Sequence, residues 1–490
     1  MLNNQNIWYN ASRGANYMNG NKAITKRNDD FAKWYTDVVM AAKLARYSNV
    51  KGCIIYEPNG TAIWERIKEV LDQKFKETGH QNITMPMLIP ESLLRKESEL
   101  VNGFAPEVAW VTHGGEKQLE ERLCIRPTSE TLFSDYYHEV VKSYKDLPLK
   151  YNQWCNVMRW EKEARPFLRG REFFWQEGHT VHATQEEAEH ETKFMLEVYK
   201  NFFEEYLAIP VLTGRKTEKE KFAGAEYTLT VEALMYNGVS LQSGTTHYFG
   251  QKFSKAYDIK FMTKNNDFEY AYQTSWGVSN RMIGALIMVH GDDAGLILPP
   301  RIAPRQVSII KATADEETNN LAENLYQTLI KNGINAYIDN SDKSFGYKLA
   351  ESEVNGIPVR IELGKREVSA GLITVARRDT LEKVQISSDT DIVAYIKDLM
   401  EKIQTNLYNR ALERRNQMTY HVKTLDEIKQ IMDTQPGFIY APWCGEESCE
   451  LKMKEIKGLK SRCIVEENEN DVCPVCGEKS HHTVVWGIQY

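Results

Sequence analysis

Hydrophobic and polar positions along this 490-residue chain fall into two periods. Between 30 and 46, Phe31, Trp34, Tyr35, Val38, Val39, Ala42 and Ala45 recur at helical spacing. A second helix is predicted from Gly60 to Gly79, with Ile63, Ile67, Val70, Leu71 and Phe75 on one face and Gly79 as its stop. A short strand over 83–88 is expected next, limited to an edge by Pro86. A helix is predicted from Thr131 to about Ser143, with Thr128 as a possible cap. Alternation over 153–160 and 171–177, around a loop with Pro166, Arg169 and Gly170, reads as an antiparallel hairpin with a basic tip. An amphipathic Glu-rich helix follows over 185–206, and an apolar helix opens near Arg281.

Pro299-Pro300-Arg301-Ile302-Ala303-Pro304 reads as a stiff linker and a domain boundary. Beyond it, strands at 306–310, 334–338, 359–363 and 372–376, with a helix over 313–332 that Thr313 and Glu316 would box, make a small α/β domain. A basic helix from about Ile403, with Arg410, Arg414 and Arg415, opens the last segment.

A chain this long exceeds one core, so several domains are expected. Hydrophobic content of 42% and charged content of 26% are ordinary for a soluble protein. No apolar run reaches membrane-span length, so no membrane partner is expected. The net charge of −7 gives no global basic field for nucleic acid, and an RNA partner has to be argued locally. Lys365-Arg366 and Arg377-Arg378 are candidate phosphate contacts or simply solvated charge. Residues 1–29 are Asn-rich, with no acid before Asp29, and read as an arm.

The basic-tipped hairpin carries the most chemistry. Arg159 and Arg169 offer planar forks to phosphate oxygens, Phe173 a flat face to a base, and Glu161 and Glu177 acceptors for an amine or a metal. Two further stretches are rich in small and polar residues: Arg126-Pro-Thr-Ser-Glu130 and Leu241-Gln-Ser-Gly-Thr-Thr-His247. In the first, Glu130 suits an ammonium and Thr128 can accept one of its hydrogens. Arg281, in the first turn of an apolar helix, is locally unfavourable unless an anion lies nearby. Of the eight cysteines, Cys444-x4-Cys449 and Cys473-x2-Cys476 fit a closed tetrahedral zinc site, with Cys463, His481 and His482 as possible substitutes.

The order Arg159-x-Glu161, loop, Arg169-x3-Phe173-x3-Glu177 resembles motif 2 of the class II aminoacyl-tRNA synthetases. The run Phe-Phe-Trp-Gln-Glu-Gly-His, ending at His179, is most similar to the prolyl-tRNA synthetases of archaeal and eukaryotic type. The long helix, strand and proline up to 88 resemble motif 1, and the segment around Arg281 resembles motif 3. Together these cover roughly residues 30 to 300.

The resemblance implies a multidomain α+β fold: an arm at 1–29, an antiparallel-sheet catalytic domain at 30–300, an α/β anticodon-binding domain at 301–402, and a small C-terminal zinc-binding α/β domain at 403–490. It implies ATP held by Arg159, Glu161, Arg169, Phe173, Gln242, Thr245, Ser279 and Arg281. Proline would be held by Thr128, Glu130, Arg159, Trp175, Glu177 and His247, with Arg159 and Arg281 acting in catalysis. Mg²⁺ accompanying ATP, structural Zn²⁺, tRNA(Pro), a homodimer and a cytoplasmic location are further implications. The 179–273 interval, read as one helix and short strands, leaves no room for an editing insertion. The resemblance also implies that the carboxylate of Tyr490 approaches the active site; the alternative is that the apolar end completes a strand of the zinc domain.

Two other readings bear on the same residues. A class II enzyme for threonine is disfavoured by the lack of a Cys-His-His set in the catalytic segment. A non-catalytic paralogue is disfavoured because Arg159, Arg169 and Arg281 are all present.

Overall fold

The computed structural model describes residues 24–100 and 107–490. The arm reading falls mostly on residues 1–23, outside the described residues. The chain divides into two compact units.

The smaller unit combines the chain up to Leu44, Gly291–Leu298 and Arg305–Met400. Its five-stranded sheet runs Ala336–Ile338, Val307–Lys311, Val359–Leu363, Leu372–Arg377, Lys383–Ser387, with the first three parallel and the last two antiparallel. The helix Glu316–Lys331 is capped by Asp315, whose carboxylate accepts from Thr318 N. Thr313 instead donates to Asp315, so a carboxylate cap stands in place of the predicted capping box. The basic pair is built into the fold rather than offered to phosphate. Arg377 forks onto Asp379 (2.7 and 2.6 Å), and buried Arg378 forks onto Asp292 (2.8 and 2.6 Å).

The larger unit holds Ala45–His290, Pro299–Pro304 and Glu401–Tyr490 around one eleven-stranded sheet. At its centre, Val211–Arg215, Tyr227–Leu234, Ser240–Gly250, Tyr272–Ser279, Glu172–His182 and Leu149–Met158 pair antiparallel in that spatial order. The predicted hairpin is thus Leu149–Met158 with Glu172–His182. The predicted strand over 83–88 splits into Gln81–Asn82 and Leu88–Pro90, in different sheets. Between them the backbone serves side chains: Met85 N donates to Gln153, and Arg126 Nη1 donates to Met85 O and Pro86 O. The interval after His179 contains strands of 8 and 11 residues, longer than the short strands expected.

One face of this sheet packs on apolar side chains. Phe75 of the helix Pro58–Glu77, Tyr199 of the helix Gln185–Glu205, and Trp276 meet there, with ring centroids 5.1 to 6.4 Å apart. Trp276 lies in register with Gly178, and a Cβ at Gly178 would fall 2.1 Å from the indole. That glycine lets the indole lie flat across its neighbour strand. The opposite face carries Ser275, Gly277 and Ser279, at alternate positions, and is left open as a cavity wall.

The C-terminal strands continue the sheet through Leu459–Glu467, which meets Val211–Arg215 at Ile464 and Arg215. His482–Ile488 lies between Phe438–Trp443 and Leu459–Glu467 with Trp486 buried. The predicted basic helix belongs to Ile392–Gln417. Its Arg414 and Arg415 donate to the carbonyls of Val289 and Val211 (2.8 and 3.1 Å), so both are spent on the fold.

Candidate active site

A cavity of about 420 Å³ opens on the free face of the central strands, and a narrower recess adjoins it. Thr128, Glu130, Arg159, Phe173, Trp175, Glu177, Gln242, Thr245, His247, Ser279 and Arg281 all line the cavity. Glu161 and Arg169 line the recess, which shares Arg159, Phe173, Ser279 and Arg281 with the cavity. Residues nominated from four separate stretches therefore meet around one space, of the size usual for a small-ligand site.

Strand register aims these groups. Arg159 leaves the end of Leu149–Met158; its Nε donates to Pro127 O at 3.1 Å, and its guanidinium lies 5.6 and 5.3 Å from the Phe173 and Trp175 ring centroids. Arg281 opens the helix Arg281–His290 and donates from Nη1 to Gln242 O at 3.2 Å. Burial, joined by repulsion from Arg159 and Arg169, lowers the pKa of Arg281 to about 10. Three guanidinium groups that repel one another around a recess are poised for a polyanion.

The other end of the cavity is a hydrogen-bonded floor. Glu130, first residue of the helix Glu130–Val140, accepts from Thr128 Oγ1 at 2.5 Å and Ser275 Oγ at 3.1 Å. Thr128 is not the helix cap expected of it; Ser129 holds that position and donates to Glu177 instead. Glu177 also takes Gln153 Nε2 at 2.6 Å and faces His179 Nε2 at 3.0 Å. Burial opposes ionisation of Glu177, but the bonds from His179, Ser129 and Gln153 outweigh it and hold its pKa below the ordinary value. His247 sits between Thr228 and Thr245, with the Phe222 ring tilted against it at 4.6 Å between centroids. Burial pushes its pKa down to about 3.

Sequence reasoning did not nominate Ser129, Gln153, His179, Lys216 or Phe222. His179 was findable, being two residues from Glu177 on the same strand face. Lys216 was not, because its place depends on pairing between distant strands.

Far along the chain, Cys444, Cys449, Cys473 and Cys476 bring their sulfurs within 4.8 Å of one another. Cys444 and Cys476 Sγ are 3.7 Å apart. A tetrahedron with Zn–S arms of about 2.3 Å has edges of about 3.8 Å, so four thiols gathered this closely suit a zinc ion. Cys463 is not part of this set; it lies buried beside Leu234, Phe438 and Val485.

The last residue touches the basic-tipped hairpin. Tyr490 N donates to Ser240 O at 3.0 Å, and its phenolic oxygen meets Arg165 Nη1 in the loop that carries Arg169. His482–Ile488 completes a strand, as one reading of the chain end has it, and Tyr490 beyond it meets a loop residue that lines neither the cavity nor the recess. The contact with Arg165 is through the phenol, not the carboxylate.

Residues 110–290 match the tRNA synthetase class II core domain (G, H, P, S and T), and residues 306–404 match an anticodon binding domain. Fold, site and these matches define a class II aminoacyl-tRNA synthetase. Residues 425–490 match the C-terminal domain of prolyl-tRNA synthetase. The proline–tRNA ligase of Clostridium novyi is 54% identical over 96% of this chain and 98% of its own length. Proline–tRNA ligase 2 of Bacillus cereus is 52% identical over 96% and 99%. The crystal structure of prolyl-tRNA synthetase from Cryptosporidium parvum, complexed with halofuginone and AMPPNP, superposes with a TM-score of 0.91 at 36% identity, over 96% of this chain and 99% of that one. The chain belongs to the prolyl-tRNA synthetase family, the proline–tRNA ligases.

Proposed function

We propose that the cavity activates L-proline with ATP and passes the prolyl group to tRNA(Pro). The carrying observation is the convergence of Arg159, Arg169 and Arg281 at one end of a cavity whose other end holds Glu130, Thr128 and neutral His247.

The proline ammonium is accepted by Glu130 and Thr128. An uncharged His247 does not repel it, and Phe222 and Trp175 wall the pyrrolidine ring. Arg159 bridges the carboxylate and the α-phosphate. Arg169 and Arg281 hold the outer phosphates, and Phe173 stacks on adenine, while Gln242, Thr245 and Ser279 line the nucleotide's path. A carboxylate oxygen of proline attacks the α-phosphorus in line, and pyrophosphate leaves. A terminal ribose hydroxyl of the tRNA then attacks the acyl carbonyl, and AMP leaves. The residues position the reactants and balance charge; no protein nucleophile is required. Glu161, the carboxylate of the recess, is one of the acids that would hold a Mg²⁺ ion accompanying ATP. Such an ion would supply charge neutralisation at the phosphates.

The division into catalytic (30–300), anticodon-binding (301–402) and zinc-binding (403–490) regions is part of the same reading, as is the archaeal and eukaryotic architecture. The latter is supported by the likeness to the Cryptosporidium structure along nearly its whole length, although the sequence relatives named above are bacterial. The absence of a cis-editing domain is supported by the 179–273 segment, whose strands belong to the central sheet or to one short hairpin. Assembly as a homodimer and a cytoplasmic location, where thiols stay reduced for zinc, complete the proposal. Charging of a tRNA(Pro) transcript with labelled proline tests it; failure to charge, with intact adenylate formation, removes the transfer step.

A further inference from the structure

Behind the phosphate end of the cavity lies a buried cluster whose charges do not cancel. Glu232 is completely buried on Tyr227–Leu234, and both its oxygens are taken. Oε1 accepts from Lys216 Nζ and Thr230 Oγ1, each at 2.8 Å. Oε2 accepts from Arg462 Nε at 3.0 Å and Nη2 at 2.8 Å. Arg462 is completely buried and Lys216 nearly so; two cations thus share one carboxylate. The remaining nitrogen of Arg462, Nη1, is buried with no hydrogen-bond partner. The next buried carboxylate, Glu450, is bonded to the hydroxyls of Thr217 and Ser461 rather than to either cation.

A surplus buried charge is costly unless a counter-charge arrives. The position of the cluster indicates where that counter-charge binds. Lys216 lines the cavity together with Gln242 and Arg281. Gln242 is the register partner of Glu232, and its carbonyl accepts from Arg281. The surplus therefore stands one strand rung from the arginine at the phosphate end.

We propose that Arg462, from the C-terminal region, is a positioning residue for ATP. With Lys216 it outweighs Glu232 and leaves one net positive charge behind the wall that faces the polyphosphate. The proposal rests on the ATP reading above. It gives the C-terminal strand a part in nucleotide binding separate from any metal: the same strand that extends the sheet delivers a guanidinium into the catalytic unit's interior.

The test is proline-dependent ATP–pyrophosphate exchange by the full-length protein, with zinc content and melting temperature followed in each variant. Arg462→Met removes the surplus charge and should raise KM for ATP roughly tenfold, the scale of one unit charge about 10 Å away in a partly screened interior, while KM for proline stays within about twofold. Arg462→Lys keeps the charge and should recover most of the ATP affinity. Lys216→Met removes the same net charge from the other side and should match Arg462→Met. Unchanged KM for ATP in a folded Arg462→Met protein overturns the proposal. So does a loss of kcat alone, or an Arg462→Lys protein no better than Arg462→Met. Should Arg462→Met not fold, Lys216→Met decides by the same criterion. Arg159→Ala in the same assay separates the two levels: if it too leaves ATP handling unchanged, the ATP reading itself fails.

Discussion

The imidazole of His247 is held at 2.9 Å from the Thr228 hydroxyl by Nδ1, with Thr245 closing the other nitrogen at 3.1 Å. Burial, with a smaller contribution from His179, takes its pKa from an ordinary 6.5 to about 3. Between those values the unfolded chain binds a proton that the folded one refuses. Stability therefore rises with pH from about 3 to 6.5 and is level above, at about 1.4 kcal/mol per pH unit for each such histidine. His182, lowered to about 4, and His290, lowered to about 3, act in the same direction. His247→Gln should show a shallower acid slope than the parent protein in urea unfolding from pH 6.5 to 4. A constant difference between the two curves across that range would count against a buried neutral His247.

Arg159 is braced between Phe173, Trp175 and the Pro127 carbonyl. Arg159→Ala should cut adenylate formation by about 10² or more, the scale for losing a preorganised charge-stabilising donor. Arg159→Lys should recover little, because an ammonium neither stacks on both rings nor makes a two-pronged contact. Single-turnover adenylate formation measures this, and near-normal rates in the alanine variant would remove Arg159 from the catalytic set.

What the sequence carried legibly was local. The helix Gln185–Glu205 fell within a residue of its predicted bounds, because period and cap lie within the segment itself, whereas the helix expected over 30–46 ends at Ala41 and Ala45 already belongs to the strand Ala45–Tyr47. The strand expected at 83–88 failed because its backbone is taken up by Arg126 and Gln153, which no local pattern announces. In the smaller unit, the helix Phe345–Val354 and the strand Lys383–Ser387 went unpredicted, the latter an edge strand with mostly exposed residues. The cavity residues were nominated through motif order, not periodicity. The supporting contacts, Ser129 and Gln153 to Glu177, and Arg462 to Glu232, required the strand register. Arg377 and Arg378 read as either phosphate contacts or solvated charge, because a pair of arginines does not reveal its carboxylate partners Asp379 and Asp292.

The four clustered thiols lead to a direct expectation for metal. Protein purified without added metal should contain one zinc per chain, held by Cys444, Cys449, Cys473 and Cys476. Cys473→Ser with Cys476→Ser should lose it and lower the melting temperature, since metal binding and local folding are coupled. Elemental analysis decides; absence of zinc with four titratable thiols rejects the site.

Tyr490 meets Arg165 in the loop bearing Arg169 and is anchored to Ser240 by its backbone. Removing Gln489 and Tyr490 should reduce adenylate formation while zinc content and melting temperature hold, because the strand His482–Ile488 stays intact. Tyr490→Phe, which deletes only the phenolic contact, should show part of the same loss. Full activity in the truncated protein would reduce the terminal residue to a structural end.

The most direct test of the central claim is ATP–pyrophosphate exchange measured with each amino acid in turn. The account predicts exchange that is strong with proline and weak with alanine and cysteine, which are small enough to enter and poorly rejected by shape. Exchange driven best by another amino acid, or none with proline, would contradict it.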